Sequence, residues 1–145
     1  MTRFRADRPT MVATALTLAG IAIASYLTYV HYEGISPVCT SGGCERVQAS
    51  SYAEIGPIPV ALLGLIGYVL ILASLAVHGD VGRALTFMLT LSGFAFSVYL
   101  TYLEVFVIDA LCQWCLASAV VMTALLIAAA VRLLRLEAPD RPAPG

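Results

Sequence analysis

The chain reads as an all-α integral membrane protein, a bundle of four transmembrane helices, and three observations lead there. Hydrophobic residues make up 60% of its 145 positions and charged residues only 12%. With a mean hydropathy of +0.89, that composition excludes an ordinary soluble domain. The apolar residues gather into four long runs, the scale needed to cross a hydrocarbon core of ~30 Å. The arginines are asymmetric about those runs, and the chain has no lysine. Length fits one domain, 1–145, and a net charge of −1 gives no footprint for nucleic acid.

The spans are expected at about 11–32, 58–77, 84–107 and 110–136. Met11 to Val30 carries no charge and follows a polar, arginine-bearing start. Ala22-Ile23-Ala24 mimics a signal-peptide cleavage site, but the apolar run continues past it, so span one is read as retained. Gly34 to Gly56 forms the first outer loop, and Cys44 to Ser51 within it has the length of two helical turns lying in the interface. Gly56-Pro57-Ile58-Pro59 closes the loop, proline being suited to a first helical turn. In span two, Gly64 and Gly67 are expected to allow close helix contact. His78 to Arg83 reads as a short inner hairpin, with His78 solvated. Almost nothing separates spans three and four, which makes them antiparallel neighbours.

Four spans place both termini on one side. Arg3, Arg5, Arg8, Arg83, Arg132, Arg135 and Arg141 then lie together, against Arg46 alone opposite. The positive-inside rule therefore predicts cytoplasmic termini in a bacterial inner or plasma membrane. Both cysteine pairs, Cys39 with Cys44 and Cys112 with Cys115, face outward, where disulfides persist.

Asp109-Ala110-Leu111-Cys112-Gln113-Trp114-Cys115 carries the chemistry. Asp109 is expected to N-cap the last helix, with Cys112 in its first turn and Cys115 one turn on. Residues three apart share a helix face, which brings the sulfurs within disulfide reach. Free backbone N–H groups and the helix dipole favour a thiolate there. Four outward cysteines suit a zinc site, two structural staples, or a thiol–disulfide relay. An oxidising compartment and the lack of a nearby histidine weigh against zinc, so no metal is expected. A membrane dithiol beside a second pair on a Gly-rich loop favours the relay over staples.

Four motifs in fixed order carry a family resemblance: Cys39-x4-Cys44 in the first outer loop, Arg46-Val47-x-x-Ser50-Ser51-Tyr52 after it, Gly56-x-Ile58-Pro59-x-Ala61-x-x-Gly64 leading span two, and Cys112-x-x-Cys115 opening span four. Together they resemble the vitamin K epoxide reductase family, over most of the chain from span one to Leu136. The DsbB family of quinone-linked thiol oxidases has similar parts with the two cysteine pairs in the opposite order. The resemblance implies a four-helix bundle around a quinone, menaquinone or ubiquinone, capped by the outer loop and its interfacial half-helix. It implies Cys115 next to the quinone, Cys112 as its disulfide partner, Cys44 as the shuttle, and Cys39 as the cysteine that meets a partner's thiol. Ser50 and Tyr52 are implied near the ring, and Trp114 is added as a cofactor-binding candidate. The implied partner is an extracytoplasmic thioredoxin-like protein of the DsbA kind. It is expected to be a separate chain, because this one stops nine residues after Leu136 with no fused thioredoxin-like domain.

Two positions depart from the vertebrate enzyme, Val60 in place of Asn and Ala119 in place of Tyr, at residues associated with vitamin K chemistry. The expected activity is accordingly thiol:quinone oxidoreduction supporting disulfide formation. A thiol-driven reductase of a quinone or vitamin K epoxide is the alternative enzyme, and a disulfide-stapled scaffold the alternative non-enzyme.

The remaining candidates are individual side chains. Phe94, Phe96, Tyr99 and Trp114 are available to wall the quinone, though each suits plain packing equally. Tyr26-Leu27-Thr28-Tyr29 is echoed by Tyr99-Leu100-Thr101-Tyr102, and a cysteine follows the last Tyr of each after ten positions. An interfacial aromatic belt accounts for the tyrosines themselves. His31 sits at the outer interface. Glu104, the one acid well inside a span, is a functional candidate because a carboxyl there is costly.

Overall fold

The computed structural model describes residues 8–40 and 42–137, with side chains to residue 134. Arg3, Arg5 and Arg141, three of the seven arginines counted toward topology, lie outside it, as does the Arg135 side chain. Helix α1 runs Arg8–Glu33, α2 is the short Cys44–Ala49, α3 is Val60–Ala76, α4 is Gly79–Tyr102 and α5 is Gln113–Glu137. A 3-10 turn at Ser51–Ala53 follows α2, and a π-helical segment, Leu103–Ile108, extends α4. The chain is a membrane protein: Arg8–Glu33, Gly79–Ile108 and Gln113–Leu134 are long and apolar enough to cross a bilayer. The fourth run, α3, is apolar but only 17 residues long.

Helix α1 packs on α3 and α5, and α4 packs on the same two from the other side. Their shared core is Ala13, Ala24, Tyr68, Ile71, Met122 and Leu125. Buried hydroxyls are satisfied along their own helices: Thr17 donates to the Ala13 carbonyl at 2.7 Å and Thr90 to that of Thr86 at 2.9 Å. That habit suits an apolar medium, where an unmet polar group costs several kcal/mol or about that order. Leu18, Ile66, Val69 and Val120 remain exposed, the composition a lipid-facing surface requires.

The glycines differ from expectation. A Cβ on Gly64 or Gly67 would meet only open space, so these positions border a cavity instead of a helix contact. Close approach is achieved at Gly20, where a Cβ would collide with the Tyr68 ring, and at Gly93 against Met122. The expected hairpin at 78–83 is also shorter, because α4 begins at Gly79, whose positive φ of 86° turns the chain directly into the helix.

Outside the bundle, α2 lies across one end. A two-residue pairing, Ile55 with Ile58 and Glu54 with Pro59, leads from it into α3 through Gly56, whose φ of 64° the turn requires. His31 at the end of α1 meets Glu54 at 2.8 Å and ties this hairpin down.

Candidate active site

The mouth of α5 is capped by sulfur. Asp109 was expected as N-cap; instead it adopts the left-handed conformation (φ 57°, ψ 38°) that closes the π-helical segment, its N–H returning to the Glu104 carbonyl. Asp is one of the few non-glycine residues that visits that region readily. The cap falls to Cys112, whose carbonyl accepts the first helical bond from Leu116 N–H at 3.0 Å. Its Sγ accepts the backbone N–H groups of Cys115 and Trp114 and the thiol of Cys115. Ser, Asp or Asn fills this role at most helix starts. Cys112 lies just outside the α5 span, and its thiol is lowered from 9.0 to about 7. The Cys115 thiol hydrogen bond is the largest cause, the backbone donors add to it, and burial together with the Glu104 charge opposes it.

Cys39 and Cys44 are disulfide-bonded, with Cα atoms 6.0 Å apart, while Cys112 and Cys115 are thiols. Cys44 and Cys112 are both wholly buried and form one cluster with Val47, onto which Cys39, Trp114 and Cys115 pack. All four sulfurs thus converge at one end of the bundle. Gly43 makes this possible, since a Cβ there would strike the Leu111 backbone as the loop presses on the connector before α5.

Gln113 and Trp114, the residues between the thiols, grip both flanks of Cys39. Thr40 donates to Gln113 Oε1 from its N–H at 3.2 Å and from its hydroxyl at 2.7 Å. Trp114 Nε1 donates to the Val38 carbonyl at 2.7 Å. Tyr26 completes the clasp: its hydroxyl accepts Val38 N–H at 3.0 Å and its ring lies 5.1 Å from the Trp114 ring. Trp114 therefore stands apart from the cavity described next, engaged with the loop.

Below the dithiol, α1, α3, α4 and α5 enclose an apolar cavity of about 170 Å³, roofed by α2 and the 3-10 turn. Cys115, Ser50 and Tyr52, three of the predicted residues, line it together. Of the proposed aromatic walls, Phe96 lines it, whereas Phe94 packs against the core and Tyr99 is exposed. Leu27 and Leu100, equivalent positions of the repeated Tyr-Leu-Thr-Tyr motif, both reach the cavity, and Tyr29 and Tyr102 are exposed. Ser50 donates to the Val47 carbonyl at 2.7 Å, capping α2 from its C-terminal side.

Glu104 also borders the cavity. It is 3% exposed; its Oε2 accepts Cys112 N–H at 3.2 Å and its carboxyl hydrogen-bonds the Cys115 thiol. The π-helical geometry places it there, turning Leu103 and Glu104 inward while Val105, Phe106 and Val107 face out. Such segments are rare and recur at functional sites. Gln48 and Tyr68 are polar cavity residues that the sequence did not single out. Gln48 brings an amide to the roof, and the Tyr68 hydroxyl bonds Ser118 Oγ at 2.8 Å and donates to its carbonyl. A tyrosine in the middle of a short apolar helix was the available signal, because its hydroxyl must find a partner when buried. Among the described residues no cluster of potential ligands could hold a metal ion.

A membrane bundle with a Cys-x-x-Cys dithiol at a helix mouth, packed against a disulfide on a loop, defines the class: a membrane thiol–disulfide oxidoreductase. Residues 11–130 match the vitamin K epoxide reductase family, and the chain belongs to it.

Proposed function

We propose that this protein is a thiol:quinone oxidoreductase that reoxidises an extracytoplasmic thioredoxin-like protein and passes the electrons to a membrane quinone, menaquinone or ubiquinone. One observation carries the reading: Cys112 touches the loop disulfide through Cys44 on one side, while Cys115 opens on an apolar cavity on the other. A partner's thiolate attacks Cys39, releasing Cys44 and forming a mixed disulfide that the partner's second thiolate breaks, leaving the partner oxidised and Cys39 free. Once a quinone has oxidised Cys112 and Cys115 to a disulfide, Cys44 attacks Cys112, and Cys115 leaves as a thiolate at the cavity wall. Cys39 then recloses on Cys44 and frees Cys112. Each exchange breaks one S–S bond and makes another, at a rate that depends on the thiol that leaves. Cys112 is well suited to depart, because its anion is held by helix N-terminal donors.

The cavity fits a quinone headgroup in character, with aliphatic and aromatic walls and few polar groups, as ligand sites generally have. Ser50, Tyr52 and the Gln48 amide would orient it from the roof, and Phe96 would flank it. Val60 supplies only an aliphatic wall, and Ala119 lies away from the cavity. Those facts favour quinone reduction over epoxide reduction. In this reading all four long helices span the membrane as one 1–145 domain, the termini are cytoplasmic, and α2 caps the quinone at the outer face.

The test separates the two pairs. Cys112→Ser or Cys115→Ser should abolish quinone reduction with any thiol donor. Cys39→Ser or Cys44→Ser should lose the protein donor while a small dithiol, dithiothreitol, still drives Cys112–Cys115. Equal loss with both donors would contradict a separate shuttle.

A further inference from the structure

Electrons and protons part company in this site. Disulfide exchange delivers a sulfur anion and releases another, so the sequence from Cys39 through Cys44 to Cys112 and Cys115 carries electron pairs without protons. A quinone reduced by two electrons must gain two protons, and it gains them in the apolar cavity. Cys112 and Cys115 close to a disulfide as they give up those electrons, and the exchange that reduced them brought no proton with it.

Glu104 is the one described carboxyl bordering both the cavity and water. On the inner side it borders the same cavity as Cys115, whose thiol it hydrogen-bonds. On the outer side it lines a second, open groove with Gly42, Gly43, Arg46 and Asp109. We propose that Glu104 is the proton relay of this site, a catalytic carboxyl that takes protons from the outer groove and hands them to Cys115 and the quinone oxygens. This proposal rests on the quinone reading above. The carboxyl gives a proton inward, becomes a carboxylate that Cys112 N–H stabilises, and is recharged from the groove. Two such cycles match the two protons of one quinone. Charged and titratable neighbours are Cys112 and Cys115 at the α5 mouth, Arg46 of α2, Asp109 of the connector, and Tyr52 and Tyr68 across the cavity. Arg46 and Asp109, of opposite sign, flank the entry from the groove.

Glu104→Gln isolates the role, because its amide oxygen can still accept Cys112 N–H but cannot carry a proton. With dithiothreitol as donor and a short-chain ubiquinone as acceptor, E104Q should reduce quinone roughly 100-fold more slowly. Its rate should rise as pH falls, bulk hydronium replacing the relay, while the wild-type rate changes less over the same range. Acid quenching and alkylation should find Cys112 and Cys115 accumulated as thiols in E104Q and as a disulfide in wild type. Glu104→Asp, which keeps a carboxyl, should recover part of the rate. An E104Q protein with wild-type rate, pH profile and cysteine state would overturn the relay and leave the quinone reading intact. A wild-type protein whose reduced Cys112 and Cys115 never reduce the quinone would remove that reading and this proposal together. Should E104Q fail to fold, wild type decides in heavy water. Reoxidation of its dithiol by quinone should be measurably slower there, and an unchanged rate would contradict proton delivery through Glu104.

Discussion

Cys112 does two jobs with one sulfur: it caps α5 and it is the junction between the two cysteine pairs. Both follow from its place one residue before the helix, where N–H groups without helical partners point at Sγ. The consequence is a pH dependence with a definite sign. With its pKa lowered from 9.0 to about 7, the reduced protein holds Cys112 as a thiolate at pH 8, and protonates it as pH falls through about 7. Depression of a folded-state pKa also stabilises the reduced fold, fully above about 9, and that contribution is lost as pH falls through about 7. Thiolate ultraviolet absorbance of a Cys39→Ser, Cys44→Ser protein, reduced with a phosphine, should show this midpoint. Cys115→Ala should raise it, since the principal donor is removed. An ordinary thiol midpoint near 9 in the reduced protein would contradict the cap. The dithiol itself was legible in the sequence from spacing alone. Its cap was not, because Asp109 is an equally good N-cap by type, and only the π-helical segment before it diverts that residue to a left-handed turn.

At the scale of elements, the loop carrying Cys39 is held by the mouth of α5 and not by its own disulfide alone. Trp114 Nε1 to the Val38 carbonyl, at 2.7 Å, is the shortest link between them beside the Gln113–Thr40 bond. Trp114→Phe keeps the ring against Tyr26 and removes that donor, at a cost of about 1 kcal/mol in loop docking. The protein-driven rate should fall several-fold while the dithiothreitol-driven rate stays, because Cys112 and Cys115 do not depend on where Cys39 sits. Equal loss with both donors would show instead that Trp114 supports the cavity, its sequence-based role. Helix identity was written in the apolar runs and the half-helix in the length from Cys44 to Ser51. The tasks of the glycines were not. Gly64 and Gly67 carry the small-residue spacing of a packing face, yet they border the cavity, and whether a glycine meets a neighbour or a void depends on the partner helix.

For the molecule as a whole, the arrangement brings residues far apart in the chain to one end: Cys39 and Cys44 from the loop, Glu104 from the end of α4, Cys112 and Cys115 from α5. Membership in the vitamin K epoxide reductase family was foreshadowed by motif order. The convergence of Ser50, Tyr52 and Cys115 on one cavity was implied only through that resemblance, since no local pattern relates the roof to α5. The central claim is that Cys44 and Cys112 exchange, which a pair of static staples would never do. In a Cys39→Ser, Cys115→Ala protein the competitor for Cys44 and the group that reverses its attack are both gone. Cys44 and Cys112, buried side by side, should then bond under mild oxidation. Mass spectrometry of an unreduced digest should recover their two peptides crosslinked; free Cys44 and Cys112 in a folded, oxidised sample would contradict the relay.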